Sequence, residues 1–460
     1  MASTMNTTRR AALVCISLLE IFLFGGMQFG WFALVFILKQ EDLFKYLCVP
    51  SGDSNSTGVN SQNEDCFRQD ERFNLIFSVG NAVLTVGTVV NGKLFLSFGI
   101  KRIRMLYISM AVGGILFFAF ASPDNPWLLL PGEIMVGMTG VSLLVSNFIQ
   151  VPFLLPKGSS IYIGLLNGCY DSSVLTFMLV KKLYEGGIDK QFSFIGLAIL
   201  LIVISGVCTL LHPSREPHTT NTNNSVSKDD SIKDDDVNGC QEVVQTTPDP
   251  SSEIKSVGDI LRHPLFISHV VWISIVMLKY IYFLGSANRM MTQLLRDESR
   301  VSYFSDVMTF TMIGSLLSSF IAGYTIHAME KPFTGSMRMV IPLAMTSCLA
   351  IFLSALAFVP EPPVLYVDFI VLTFLRSFMY TTNMDFIRVA FPLKYTSMIF
   401  GLVMAISGIL TITQYGLFDW AEKYDEATID VNVFLLCLSI VSLAHPIVVF
   451  YREKSKSSCI

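Results

Sequence analysis

Apolar residues along this chain run in long blocks, unlike the short alternation of a strand or the one-sided stripe of a surface helix. A window of about 19 residues, long enough to cross hydrocarbon as a helix, is the natural ruler for such blocks. It picks out twelve: 11–38, 73–98, 103–121, 127–151, 159–182, 191–211, 264–285, 303–328, 338–359, 363–386, 396–417 and 430–451. The blocks 103–121 and 191–211 are the cleanest, and 303–328 is the most polar. Inside lipid a backbone must satisfy its own hydrogen bonds, so runs of this length predict helices. The expected fold class is an all-α membrane protein with twelve transmembrane helices.

The polar stretches divide these blocks. Residues 212–260 contain SKDDSIKDDD and almost no large apolar side chain. Such a segment buries too little surface to offset its ordering entropy and reads as a flexible linker, with a short helix near Val257 to Leu261. It separates an N-terminal six-helix bundle, 1–211, from a C-terminal one, 261–451, and leaves a tail at 452–460. The halves echo one another: Lys157 precedes Gly164-Leu165 by the same interval at which Lys394 precedes Gly401-Leu402.

The apolar run after Arg9 and Arg10 is too long for a signal peptide and lacks a small-residue cleavage site, so it reads as an uncleaved first helix. The loop at 39–72 carries the sequon Asn55-Ser56-Thr57 between Cys48 and Cys66. A glycosylation signal bracketed by a candidate disulfide suits an oxidising, glycosylating compartment. With twelve helices, both termini then lie in the cytoplasm, together with Lys101, Arg102, Arg104, Arg338, Arg388 and Lys394. The sequons at Asn6 and Asn223 fall on that same side, where they stay unmodified.

Composition supports the setting. Hydrophobic residues make up 52% and charged ones only 15%, against about 25% charged in soluble domains. The net charge of −4 is small, and Lys and Arg form no dense stripe, which argues against nucleic acid. Neither the Cys nor the His residues show metal-ligand spacing, and no P-loop, GxSxG or HExxH occurs, so neither an enzyme, a cofactor nor a nucleotide-driven pump is implied.

Polar groups inside apolar blocks are therefore the candidates for function. A charge at mid-bilayer costs about 2.5–3.5 kcal/mol even on gentle insertion scales, and usually faces a polar path or a partner. Arg376 sits in the middle of 363–386, and Tyr380 and Asn383 follow at spacings that share its helical face. A guanidinium, a phenol and an amide in one stripe suit a polar, planar solute. Asp171, with Asn167 one turn before it, is the obvious counter-charge, so a structural or gating ion pair explains Arg376 almost as well. Lys279, beside Tyr280 and Tyr282, is a second candidate cation for Asp171 or Glu20. Asn147 and Glu133 share a face of the fourth helix, with Gln150 nearer its end. The first helix holds GGMQFGW, in which the glycines permit a bend or close packing, Gln28 offers a mid-depth amide and Trp31 a stacking surface. Gln414 and Tyr415 occupy the corresponding region of the eleventh helix, and Glu20 and Glu133 are possible ion-pair partners.

The runs Leu18 to Cys48, Gln69 to Gly80, LNGCYDSSVLTFMLVKKLYEGGI (Leu166 to Ile188), RSFMYTTNMDFIRVAFP (Arg376 to Pro392) and FGLVMAISG (Phe400 to Gly408) resemble solute carrier family 43, and the likeness spans nearly all of the chain except the linker. That family lies within the major facilitator superfamily, which implies two six-helix bundles around a midplane site. It contains sodium-independent facilitators of large neutral amino acids and of purine nucleobases, and NGCYDSS and RSFMY look closer to the nucleobase branch. The resemblance implies an equilibrative, alternating-access carrier of a base such as adenine, monomeric, in the plasma membrane. A leucine-like amino acid is the rival solute, and a non-transporting sensor or scaffold the rival of another class. The superfamily's loop signature after the second helix is incomplete, since Leu96 and Ser97 stand where Asp and Arg are usual.

Overall fold

In the computed structural model, residues 6–50, 64–155, 158–212, 257–421, 423–424 and 426–458 are described. Asn55, Lys157, Asn223 and linker residues 213–256 lie outside them. Among the described residues, eleven helical spans are long and apolar enough to cross a bilayer: Thr7–Gln40, Arg68–Phe98, Ile100–Phe120, Pro126–Pro152, Ser159–Glu185 and Lys190–Leu211 before the linker, then Pro264–Ala287, Gly335–Leu356, Val364–Ala390, Leu393–Ala421 and Ala427–Ser455. A twelfth crossing is the pair Ser299–Ile313 and Ser315–Met329, bent by 41° at Gly314. Counted in chain order, this bent pair is the eighth span.

The apolar blocks and the helices agree in number and order, and differ at their ends. The second helix starts at Phe67, a turn and a half earlier than its apolar block, because Arg68, Asp70 and Glu71 form a polar first turn. The last helix runs Ala444–Ser458, so Arg452 and its neighbours extend the helix and are not a separate tail. At the end of the linker, Val257–Arg262 is helical.

Several spans are broken within the membrane. The first is helical over Thr7–Phe24, passes through a 3₁₀ turn at Met27–Gly30 and resumes at Trp31–Gln40. The fifth is interrupted between Ser159–Ser172 and Leu175–Glu185. The two breaks meet and supply each other's loose backbone groups. The Gly26 amide donates to Ser173 Oγ at 2.6 Å, and Thr176 Oγ1 donates to the Leu23 carbonyl at 2.7 Å. A side chain at Gly30 would stand 2.8 Å from the Val174 carbonyl and one at Gly25 2.9 Å from the Tyr170 ring, so glycine is what allows this approach.

The halves touch along two related seams. Gly164 and Gly168 of the fifth span lie on Ser319, Leu316 and Gly323 of the eighth, where a side chain at Gly323 would meet Ser160 O at 2.6 Å. Gly92 and Thr88 of the second span lie on Met398 and Gly401 of the eleventh, and Thr88 Oγ1 donates to Gly401 O at 3.2 Å. The echoed Gly164 and Gly401 are therefore seam residues. Both seams lie near the ends of their spans on the side of the chain termini, so the molecule is closed there. Gly92 belongs to the degenerate loop signature, and its carbonyl accepts from Ser397 at 3.5 Å.

At the other end, Cys48 and Cys66 form a disulfide beside a two-residue antiparallel ladder, Val49–Pro50 with Glu64–Asp65. Gln69 Nε2 donates to Leu43 O at 2.7 Å, Lys39 pairs with Asp70, and the buried Lys190 reaches Glu41 at 2.5 Å and Ala121 O at 2.6 Å. These contacts pin the loop onto the bundle.

Candidate functional site

The tenth helix, Val364–Ala390, carries Arg376 at its centre. Its Nη2 lies 2.6 Å from Asp171 Oδ1, and its Nη1 donates to the Tyr280 hydroxyl. Asp171 comes from the fifth span, in the other half of the molecule, so the pair ties the halves together at mid-depth. The guanidinium carbon is 5.6 Å from the Tyr280 ring and 5.8 Å from those of Tyr380 and Phe29. Phe29 meets Tyr170 edge-on at 6.1 Å. Four aromatic rings from the first, fifth, seventh and tenth spans thus surround one ion pair. The Arg376 Nε–H is buried with no hydrogen-bond acceptor among the described residues, while the side chain as a whole keeps 14% exposure. The arrangement offers flat apolar faces, a guanidinium and phenolic hydroxyls, a set that suits a planar polar molecule.

The other expected residues lie elsewhere. Asn383 shares the Arg376 face but sits about 10 Å further along the axis, where its Oδ1 is 2.9 Å from His269 Nε2. His269 Nδ1 is in turn 3.1 Å from His445 Nε2, a pairing of distant residues that sequence spacing did not reveal. Asn167 donates to its own helix at Ile163 O, 3.1 Å away. Trp31 is not a stacking platform for solute: its ring is buried and packs on Phe77 at 6.4 Å and Phe118 at 6.3 Å. The residue of that motif that reaches the ion pair is Phe29. Gln28 donates to Asn81 at 3.4 Å. Gln414 is half-buried at the start of a helix that follows the 3₁₀ turn Thr411–Thr413, and Tyr415 is exposed.

The acids also sort differently. Glu20 does not serve Arg376 or Lys279. It pairs at 2.5 Å with Arg104, both side chains fully buried. Arg104 also donates to Ser146 Oγ at 2.6 Å and Thr209 Oγ1 at 3.0 Å, and Asn147 Nδ2 reaches Glu20 Oε2 at 3.3 Å. Arg104 is therefore a cation of the bundle interior and not one of a solvated loop. Glu133 is buried with neither carboxyl oxygen hydrogen-bonded, so it forms no ion pair among the described residues. Gln150 is buried, and its Oε1 has no partner among the described residues. Lys279 is buried and has Asp368, not Asp171 or Glu20, as its acidic neighbour. Arg388 folds back on Asp385 at 2.5 Å.

Sequence reasoning missed Phe29, Tyr170 and Arg104. Tyr170 adjoins Asp171 and Phe29 lies in the glycine motif, so both were within reach. Arg104 lies in register with buried Tyr107, Ile108 and Ala111, an interior stripe that marks it as a core residue.

The protein is similar to equilibrative nucleobase transporter 1 of Bos taurus, 29% identical over an alignment covering 98% of this chain and 97% of that one. It is also similar to large neutral amino acids transporter small subunit 3 of Homo sapiens, at 22% identity with 96% and 93% covered. These are the two kinds of carrier that the resemblance to solute carrier family 43 implies. The Major Facilitator Superfamily model matches residues 183–413, just over half of the 460. With that match, two six-helix halves and a polar site between them, the chain belongs to the Major Facilitator Superfamily.

Proposed function

We propose that this transporter carries purine nucleobases such as adenine down their gradient, without sodium, across the plasma membrane, by alternating access as a monomer. The observation that carries the reading is the Arg376–Asp171 pair walled by aromatic rings at the junction of the halves. An α-amino acid brings a carboxylate and an ammonium that each need a counter-charge. Here the two central charges already neutralise one another at 2.6 Å, so a zwitterion must split them at a cost in free energy. A neutral heterocycle can lie on the rings and meet the phenolic hydroxyls without doing so. The nearly full-length similarity to a nucleobase transporter adds support.

In this reading both termini and the glycine seams face the cytoplasm, the disulfide loop faces outward, and the seams are the inner gate. The second reading, a carrier of leucine-like amino acids, is favoured by the similarity to the human amino acid transporter and would use Arg376 and Asp171 as separated charges. A scaffold that no longer transports remains the reading from another class, given Leu96 and Ser97 in the signature loop. Uptake of labelled adenine into sodium-free cells expressing the chain, with leucine as competitor, tests all three. Saturable uptake that leucine does not inhibit supports the nucleobase reading. Uptake of leucine alone supports the second, and uptake of neither across a purine and amino acid panel supports the third.

A further inference from the structure

Away from Arg376, the outer end of the C-terminal half encloses a cavity of 490 Å³ between the seventh span, the 359–361 turn and the start of the last span. It is lined by Lys279, Asp368, Phe283, Leu365, Phe418 and Asn432, among others, and by none of the residues around Arg376. Asp368 precedes Arg376 by two helical turns, about 12 Å along the axis. Lys279 and Asp368 are 2% and 4% exposed. They are electrostatic neighbours, yet no ion pair within 4 Å joins them, and neither charged group hydrogen-bonds among the described residues. Asp368 Oδ1 is buried with no partner among the described residues.

Two opposite charges that face one cavity without reaching each other leave both groups without a protein partner among the described residues. Had they served only to neutralise one another, flexible Lys279 would have closed the gap, as Lys190 does onto Glu41 at 2.5 Å. A molecule bearing both charges completes the set: its carboxylate takes the Lys279 ammonium, its ammonium takes Asp368, and its carbon chain lies on Phe283, Leu365 and Phe418. From this cavity we infer that the transporter has a second binding site, for a small zwitterion, distinct from the Arg376 site. The inference goes beyond the proposed function and does not rest on which solute is carried.

Binding to the purified full-length protein in nanodiscs tests it. The probes are glycine, β-alanine and 4-aminobutyrate, whose charges are separated by one to three carbons, against the matching carboxylates and amines that carry one charge each. At least one zwitterion is expected to bind tenfold or more tighter than both of its single-charge counterparts. Lys279→Met and Asp368→Asn should each weaken that binding at least tenfold. The exchange Lys279→Asp with Asp368→Lys should recover it to within tenfold, which excludes a simple folding defect, and Arg376→Ala should leave it in place. Equal binding of zwitterions and single-charge probes, no binding of any zwitterion, or loss with Arg376→Ala but not with Lys279→Met or Asp368→Asn would overturn the inference. Adenine uptake plays no part in this readout, so failure of the proposed function is recognised separately.

Discussion

Replacing Arg104 by Met tests the reading of the N-terminal half most directly. Arg104 and Glu20 are both fully buried at 2.5 Å. At an effective dielectric of about 20, unit charges about 4 Å apart attract by about 4 kcal/mol. Removing one partner of a buried pair costs about 3–5 kcal/mol, mostly from the charge left behind. The loss should concentrate on Glu20, which keeps Asn147 Nδ2 at 3.3 Å. Ser146 and Thr209 are not orphaned, since their hydroxyls still reach Leu143 O and Ser205 O at 2.7 Å. Arg104→Met with Glu20→Gln removes the charge altogether and should recover about 2 kcal/mol or more, a coupling well above the ~0.5 kcal/mol expected of independent sites. The assay is reversible unfolding in mixed micelles of all four members of the cycle. A cost below ~1 kcal/mol for Arg104→Met, or strict additivity in the double variant, would refute the argument.

Other outcomes follow from the same contacts. Asp171→Asn unties Arg376 from the opposite half; a charge-assisted hydrogen bond of about 1.5–3 kcal/mol corresponds to a shift of about tenfold or more between arrangements of the halves. Spin-label distances across the molecule should change accordingly, and an unaltered distribution counts against the tie. Gly164→Leu and Gly401→Leu should wedge the seams open, raising thiol labelling of a cysteine placed at Ser397; unchanged labelling would mean that the seams do not close that side. Glu133→Leu removes two buried oxygens without partners among the described residues and should raise stability by about 1–3 kcal/mol, read in the same unfolding assay. A destabilised Glu133→Leu would point to a partner that the carboxyl does have.

The spans were legible because each is an apolar block bounded by polar residues, and hydrocarbon thickness sets their length. Arg376 and Asp171 stood out as charges deep inside such blocks. What the pattern hid is equally physical. Arg104 lies at the edge of its block beside Lys101 and Arg102, where hydropathy alone does not separate a snorkelling cation from a buried one. The 3₁₀ turn at Met27–Gly30 shifts the helical phase, so the face that presents Phe29 is not the one a continuous helix predicts, and Trp31 turns into the core. Asn383 keeps the right face but the wrong depth. His269 and His445 are separated by 176 residues, and only the packing of the seventh, tenth and last spans brings them together. Lys279 was visible as a buried cation, but its acidic neighbour Asp368 was not singled out.

The mutual repair of the first and fifth spans has a consequence for how the chain is made. Ser173, which accepts from Gly26, follows it by 147 residues. At about 5–20 residues per second of synthesis, the first span waits about 7–30 s before its partner exists. During that interval the broken backbone at Gly26 has no Ser173 to bond, and lipid offers it nothing. The nascent first span must therefore stay sheltered beside the insertion machinery or cross as an unbroken helix, and take on its final bend only when the fifth span arrives. For this protein the shape of the beginning is decided by the middle.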